Sequence, residues 1–119
     1  MEHRRAKGIF GEQLALRHLA EQGYQLLARN YRCRIGEIDL ILLDGKQVVF
    51  VEVRLKSSRQ YGSGFESITG KKISKLRLVA QNFLAFNAAL ADAEVRFDVI
   101  SIYDPPHGKL TLHHLKEAF

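Results

Sequence analysis

Two runs dense in Ile, Leu and Val, Glu37 to Leu43 and Gln47 to Leu55, flank Asp44-Gly45, and this pattern constrains the fold more than any other part of the chain. Branched side chains at that density favour strands, and Asp-Gly between two such runs is a strong hairpin signal. Side chains alternate faces along a strand, so Val51, Val53 and Leu55 point one way and Glu52, Arg54 and Lys56 the other. On the first run Glu37, Asp39, Ile41 and Leu43 share a face opposite Ile38, Leu40 and Leu42. Both faces of the hairpin are apolar for most of its length. Such strands lie inside a sheet covered on both sides, where an unpaired carboxylate is costly to bury.

The turn decides how the carboxylates meet. A two-residue turn at Asp44-Gly45 pairs Asp39 with Phe50 and leaves Glu52 one diagonal step away on the same face. A four-residue turn sets Asp39 directly opposite Glu52. Direct neighbours have Cβ atoms about 4.5 to 5.5 Å apart and diagonal ones about 7 to 8 Å, so either register lets the two acids share an ion. A three-residue turn would put them on opposite faces and leave no site.

The remaining pattern supplies layers for such a sheet. Gly8 to Gln22 has helical spacing with Ala15, Leu16 and Leu19 on one side and Gly23 placed to end it. Tyr24 to Ala28 reads as a short strand. Lys71 to Asn87 carries Ile73, Leu76, Ala80, Phe83 and Leu84 at amphipathic spacing, with Thr69 as its cap. Val95 to Tyr103 and Leu110 to His114 read as further strands. No repeat or linker divides the chain, so residues 1–119 are expected to form one mixed α/β domain in the order α-β-β-β-α-β-β.

Charge points to a polyanionic partner through its distribution. The net charge is +5, and residues 29 to 77 hold eleven cations, Arg59 among them, against five acids, while the rest of the chain is slightly acidic. Cys33 is the single cysteine, which excludes an intrachain disulfide and suggests a reducing compartment. With no run resembling a signal peptide or a membrane span, a cytoplasmic location is expected.

Two converging carboxylates repel each other and call for a cation, and oxygen ligands favour a hard ion such as Mg²⁺ or Mn²⁺. Asp39 and Glu52 are therefore candidate metal ligands, and Arg54 or Lys56 is the candidate cation for an attacked phosphate. Glu12 falls within the buried stripe of the first helix, between Gly8, Ala15, Leu16 and Leu19, as a third ligand or as a capping or salt-bridged acid. Lys71, Lys72 and Lys75 open the second helix, where cations are unfavourable beside the positive end of the dipole. An anion should compensate them, and a nucleic-acid phosphate fits, the alternative being a solvated basic face. Arg29, Arg32 and Arg34 could track a phosphate backbone or simply face solvent. Asp98 alternates with Phe97 and Val99 and is a candidate partner for Arg96. His113-His114 lacks a matching ligand set, and none of the five histidines is assigned a catalytic role.

At these residues the chain resembles the UPF0102 (YraN-like) family of small bacterial proteins, related to Holliday-junction resolvases and the PD-(D/E)XK nuclease superfamily. The resemblance rests on G-x-x-G-E at Gly8 to Glu12, R-N-Y-R at Arg29 to Arg32, G-E-I-D-L-I at Gly36 to Ile41, F-V-E-V-R at Phe50 to Arg54 and R-F-D-V-I at Arg96 to Ile100. It implies a restriction-endonuclease-like fold, Asp39 and Glu52 as metal ligands, Glu12 as the first-helix acid, and the residue two beyond Glu52 as the catalytic cation. That superfamily has lysine at the last place and this chain has Arg54. Arginine keeps its proton, which closes a general-base role and leaves electrostatic stabilisation, with Lys56 as the substitute on the same face.

Three functions follow as expectations. One is a Mg²⁺- or Mn²⁺-dependent endonuclease, with DNA the favoured substrate. Another is a nucleic-acid-binding protein that keeps the fold without catalysis. The third is a nuclease-fold subunit acting as a homodimer or with a protein partner, because so small a domain spans less than one turn of duplex.

Overall fold

The computed structural model describes residues 2–56 and 68–119, with side chains from Gly8 onward; Arg59, counted in the basic segment, lies outside them. Helix α1 (Glu2–Glu21) leads into β1 (Gln25–Arg32), β2 (Glu37–Asp44) and β3 (Gln47–Lys56), followed by α2 (Gly70–Ala85), β4 (Glu94–Tyr103) and β5 (Thr111–Leu115). This is the expected order. The strands form one sheet, β1-β2-β3-β4-β5, in which β3 and β4 are parallel and the other neighbours antiparallel. No tight turn can join a parallel pair, and α2 lies in the crossover between its two members. Among the described residues no helix is long and apolar enough to cross a membrane.

Local chemistry explains the element ends. After α1 the Tyr24 N–H donates to the Leu19 carbonyl (3.0 Å) and the Gly23 N–H to that of Ala20 (3.0 Å). Gly23 holds φ +90°, so this is a Schellman ending that uses the glycine's freedom. The helix starts before the expected Gly8, because residues 2–7 include good helix formers without the apolar spacing that periodicity detects. Strand β1 runs past the expected Ala28 to Arg32, through a polar stretch that an edge strand tolerates. Thr69 caps α2 as expected, its hydroxyl accepting from the Lys72 N–H at 3.2 Å.

The hairpin turns at Gly45-Lys46, one residue later than Asp44-Gly45. Asp44 pairs with Gln47 and Leu43 with Val48, and Gly45 takes φ +62°. Of the two compatible registers, this is the one that, continued past its last pair Leu40–Val51, brings Asp39 to the level of Glu52.

Each face of the sheet carries its own core. Ala15, Leu19 and Tyr24 pack with Leu40, Leu42, Val49, Val51, Ile100 and Ile102 on the α1 side. Leu76, Val79, Ala80 and Phe83 of α2 pack with Ile38, Ile41, Val48 and Phe50 on the other. Ile38 and Ile41 share a side although they are three residues apart, so the alternation of β2 slips between them. The β2–β3 pairing ends there, at Leu40–Val51. Across β1–β2, between Arg29–Leu40 and Tyr31–Ile38, Asn30 adopts φ +50°, a left-handed conformation that Asn accepts more readily than most residues. Both strands are therefore irregular at one level, and Asp39 sits at it.

Candidate functional site

Beyond Leu40–Val51, the Asp39 carboxylate takes the place of the next ladder bond by accepting the Val53 N–H at 2.8 Å. Asp39 thereby borders two hollows. One, about 350 Å³, lies on the α1 side among Gly8, Gly11, Glu12, Val53, Arg54 and Leu55. The other, about 200 Å³, lies on the α2 side and is lined by Gly36, Glu37, Glu52, Lys72, Lys75 and Leu76 among others. Gly11 brings the helix close to β3, since a Cβ on it would lie 3.4 Å from the Leu55 Cβ.

The electrostatics follow from this crowding. Burial, then the charge of Glu52, with smaller contributions from Glu12 and Glu37, push the Asp39 carboxyl up to about 7 against the lowering pull of the Val53 N–H. Glu52 is 9 % exposed and is held by Lys72 Nζ at 2.9 Å and Arg54 Nε at 3.7 Å, both on Oε1. Among the described residues Glu12 Oε1 is buried without a hydrogen-bond partner, and so is Arg54 Nε. An orphaned carboxylate oxygen beside two mutually repelling acids is a donor set that suits a hard cation. Among the described residues no three such side chains stand already gathered as a ligand set, and Glu52 is turned to Lys72.

The expected residues divide between the site and its surroundings. Glu12, Asp39, Glu52, Arg54, Lys72 and Lys75 border the two hollows, whereas Lys56 borders neither. Lys56 ends β3 four residues beyond Glu52, about 13 Å along a strand. Lys71 is exposed on the first turn of α2. Arg29 and Arg32 are exposed on β1, and Arg34 is exposed between β1 and β2, with Arg32 Nε 2.8 Å from Glu37.

The anion expected beside the α2 lysines is in part the chain's own Glu52. Sequence spacing placed Lys72 only against substrate. A second polar cluster was only half visible. Arg96 grips Asp98 through two hydrogen bonds (2.9 and 3.0 Å) and also reaches Asp44 and Gln47 (2.9 Å each) and the Tyr24 hydroxyl (2.6 Å). His114 Nε2 lies 2.7 Å from Asp98, and the Glu117 N–H donates to it at 3.1 Å. Asp98 is fully buried, and its carboxyl is held below the usual range because the bonds from His114 and Arg96 outweigh the opposing effect of burial. Arg96 reaches toward the Asp44–Gln47 end of the sheet, while Asp98 is level with Val51 and faces the α1 side, opposite to Glu52.

Fold and site together define a small α/β domain with an acid-lined, cation-flanked cleft where two central strands part. The chain belongs to the family described as "Uncharacterised protein family UPF0102", whose model matches residues 11–102. It is 44% identical to a UPF0102 protein of Frankia alni, with 100% of this chain and 98% of that protein covered. It is 42% identical to one of Pelotomaculum thermopropionicum (98% and 97% covered) and 45% identical to one of Pseudomonas entomophila (94% and 91% covered). The matched stretch contains Glu12, Asp39, Glu52, Arg54 and the α2 lysines.

Proposed function

We propose that this protein is a divalent-metal-dependent endonuclease that hydrolyses phosphodiester bonds in DNA. The observation that carries the proposal is the position of Asp39 where β2 and β3 separate, bordering one hollow with Glu12 and Arg54 and another with Glu52, Lys72 and Lys75. Asp39, Glu52 and Glu12 would hold Mg²⁺ or Mn²⁺, which when bound supplies Lewis-acid polarisation of the phosphodiester.

The chain's own residues account for the rest. The Val53 N–H fixes the Asp39 carboxylate at the mouth of both hollows. Arg54, which keeps its proton, stabilises charge that develops on the attacked phosphate. Lys71, Lys72 and Lys75 receive neighbouring phosphates along the first turn of α2, and Arg29, Arg32 and Arg34 extend the basic surface past β1. A DNA substrate and a lone half-buried cysteine both fit a cytoplasmic location. The radius of gyration of 14.3 Å also suits a homodimer or a partnered subunit on duplex DNA, whose turn is about 34 Å long. The arginine at residue 54 favours a second reading, a nucleic-acid-binding protein without turnover.

Thermal melts with and without Mn²⁺ test the ion site. The wild type should gain stability, and the Asp39→Ala/Glu52→Ala double variant should lose that gain; equal gains would refute the site. Incubation of the wild type and Glu52→Ala with linear, single-stranded and four-way-junction DNA tests the chemistry. Cleavage by the wild type alone is expected. Binding without any cleavage would leave the second reading.

A further inference from the structure

We propose that Lys72 is an exchangeable cation that occupies Glu52 in the empty site and moves to a substrate phosphate when a divalent ion takes its place. The inference rests on the metal-dependent nuclease reading and assigns to one residue the coupling of ion binding to DNA binding.

The geometry gives Lys72 two possible partners within one hollow. Its ammonium sits 2.9 Å from Glu52 Oε1, so it occupies the side of the carboxylate that an incoming ion needs. Arg54 approaches the same oxygen only to 3.7 Å, and its side chain is 21 % exposed. The Lys72 side chain is 40 % exposed while Glu52 is 10 %, so the lysine can swing outward and the acid cannot. Its backbone stays put meanwhile, because the Lys72 N–H is tied to the Thr69 cap. The cap thus anchors a movable ammonium at the rim of the hollow it shares with Asp39, Glu52 and Lys75.

Charge balance sets the direction of the exchange. Paired with Lys72, Glu52 is neutralised, and among the described residues Asp39 and Glu12 have no ion pair with a cation. A doubly charged ion shared by Asp39 and Glu52 in this hollow takes the place of the ammonium on Glu52 and repels it. The nearest new partner is an anion entering the hollow, and a phosphodiester fits. Lys72 therefore competes with the metal in the absence of DNA and favours DNA once the metal is present. Lys75 borders the same hollow without an ion pair to Glu52 among the described residues, so it should add affinity for DNA without this coupling.

The test uses the full chain, Mn²⁺ alone in titration calorimetry, and a labelled duplex in anisotropy with either Ca²⁺ or EDTA. Lys72→Met should bind Mn²⁺ about fivefold more tightly than the wild type, the scale of one partly exposed ion pair. Ca²⁺ should strengthen duplex binding by the wild type, and in Lys72→Met that strengthening should shrink. Lys75→Met should weaken the duplex in both conditions and leave Mn²⁺ affinity unchanged. Lys72→Arg, which keeps the charge, should restore the coupling, and Lys72→Gln checks the neutral case should the methionine variant fold poorly. If the wild type binds Mn²⁺ and both neutral variants bind it equally or more weakly, the exchange is wrong while the ion site stands. If the wild type binds no Mn²⁺, the nuclease reading falls and takes the exchange with it.

Discussion

Replacing Asp39 by Asn should make the metal-free protein more stable at neutral and alkaline pH. The side chain is largely buried beside Glu52, with Glu12 and Glu37 nearby, and its carboxyl titrates near 7 where an ordinary aspartate titrates near 3.8. A carboxyl raised in this way keeps its proton in the folded chain after the unfolded chain has released it, so stability falls as pH rises from about 4 to about 7. At about 1.36 kcal/mol per pH unit the full cost approaches about 4 kcal/mol above pH 7. Asn carries no charge, and its carbonyl can still accept the Val53 N–H. Asp39→Asn should therefore gain about 2 to 4 kcal/mol at pH 8 and less than about 1 kcal/mol at pH 4, where the folded wild-type carboxyl is protonated and the unfolded one about half so. For a domain of this size that is a rise in Tm of roughly 8 to 15 °C. Thermal unfolding in EDTA from pH 4 to 8.5 reads both numbers. A variant no more stable than the wild type at pH 8, or a gain independent of pH, would refute the crowded-carboxylate account.

Arg96→Met should cost up to about 3 kcal/mol by leaving the fully buried Asp98 to His114 and the Glu117 N–H alone, and Arg96→Met/Asp98→Leu should recover part of that loss, as denaturant melts would record. Because Asp98 is held below its ordinary range, its stabilising contribution is complete above pH 4 and is lost as pH falls through the depressed value; Asp98→Leu should flatten that acid limb. Gly11→Val should lose about 1 to 3 kcal/mol by pushing α1 off β3, whereas Gly8→Ala, with nothing within 4 Å of the added carbon, should be neutral or gain up to about 1 kcal/mol. Equal losses at both glycines would contradict the close approach of helix and strand at Gly11.

What the sequence revealed followed the range of the forces involved. The hairpin, the α2 stripe and the Thr69 cap are written in neighbouring residues; the helix and its cap form where periodicity and capping chemistry put them, and the hairpin forms with its turn one residue later. The opposition of Asp39 and Glu52 was legible up to the choice of turn, and the structure selects the later one. Val79, absent from the expected stripe, is more buried than any residue in it, since helical spacing alone does not fix the width of an apolar face. The pairing of Lys72 with Glu52 spans 20 residues, and that of Arg96 with Tyr24 spans 72. Such contacts depend on how strands are ordered in the sheet, and parity along one strand carries no trace of them. The slip in β2 at Asp39 was hidden for a similar reason, because strict alternation is what the sequence argument assumed.

The Arg96 cluster has a mechanical consequence. Its bonds join the segment after α1 to the end of β2, the start of β3, and strands β4 and β5, so the α1 face of the sheet is cross-braced from the Asp44–Gln47 end to the level of Val51 by charge-assisted contacts in addition to its ladders. At the other end β2 and β3 part and a single side chain replaces the missing rung. Stiffness is therefore graded along the strands, and thermal motion should concentrate in the acid-lined cleft, where a flexible polymer has to be admitted and let go. Amide exchange should be slowest near Val48 and Val49 and fastest toward Arg54, a gradient that places the working parts of the molecule at the compliant end of a braced beam.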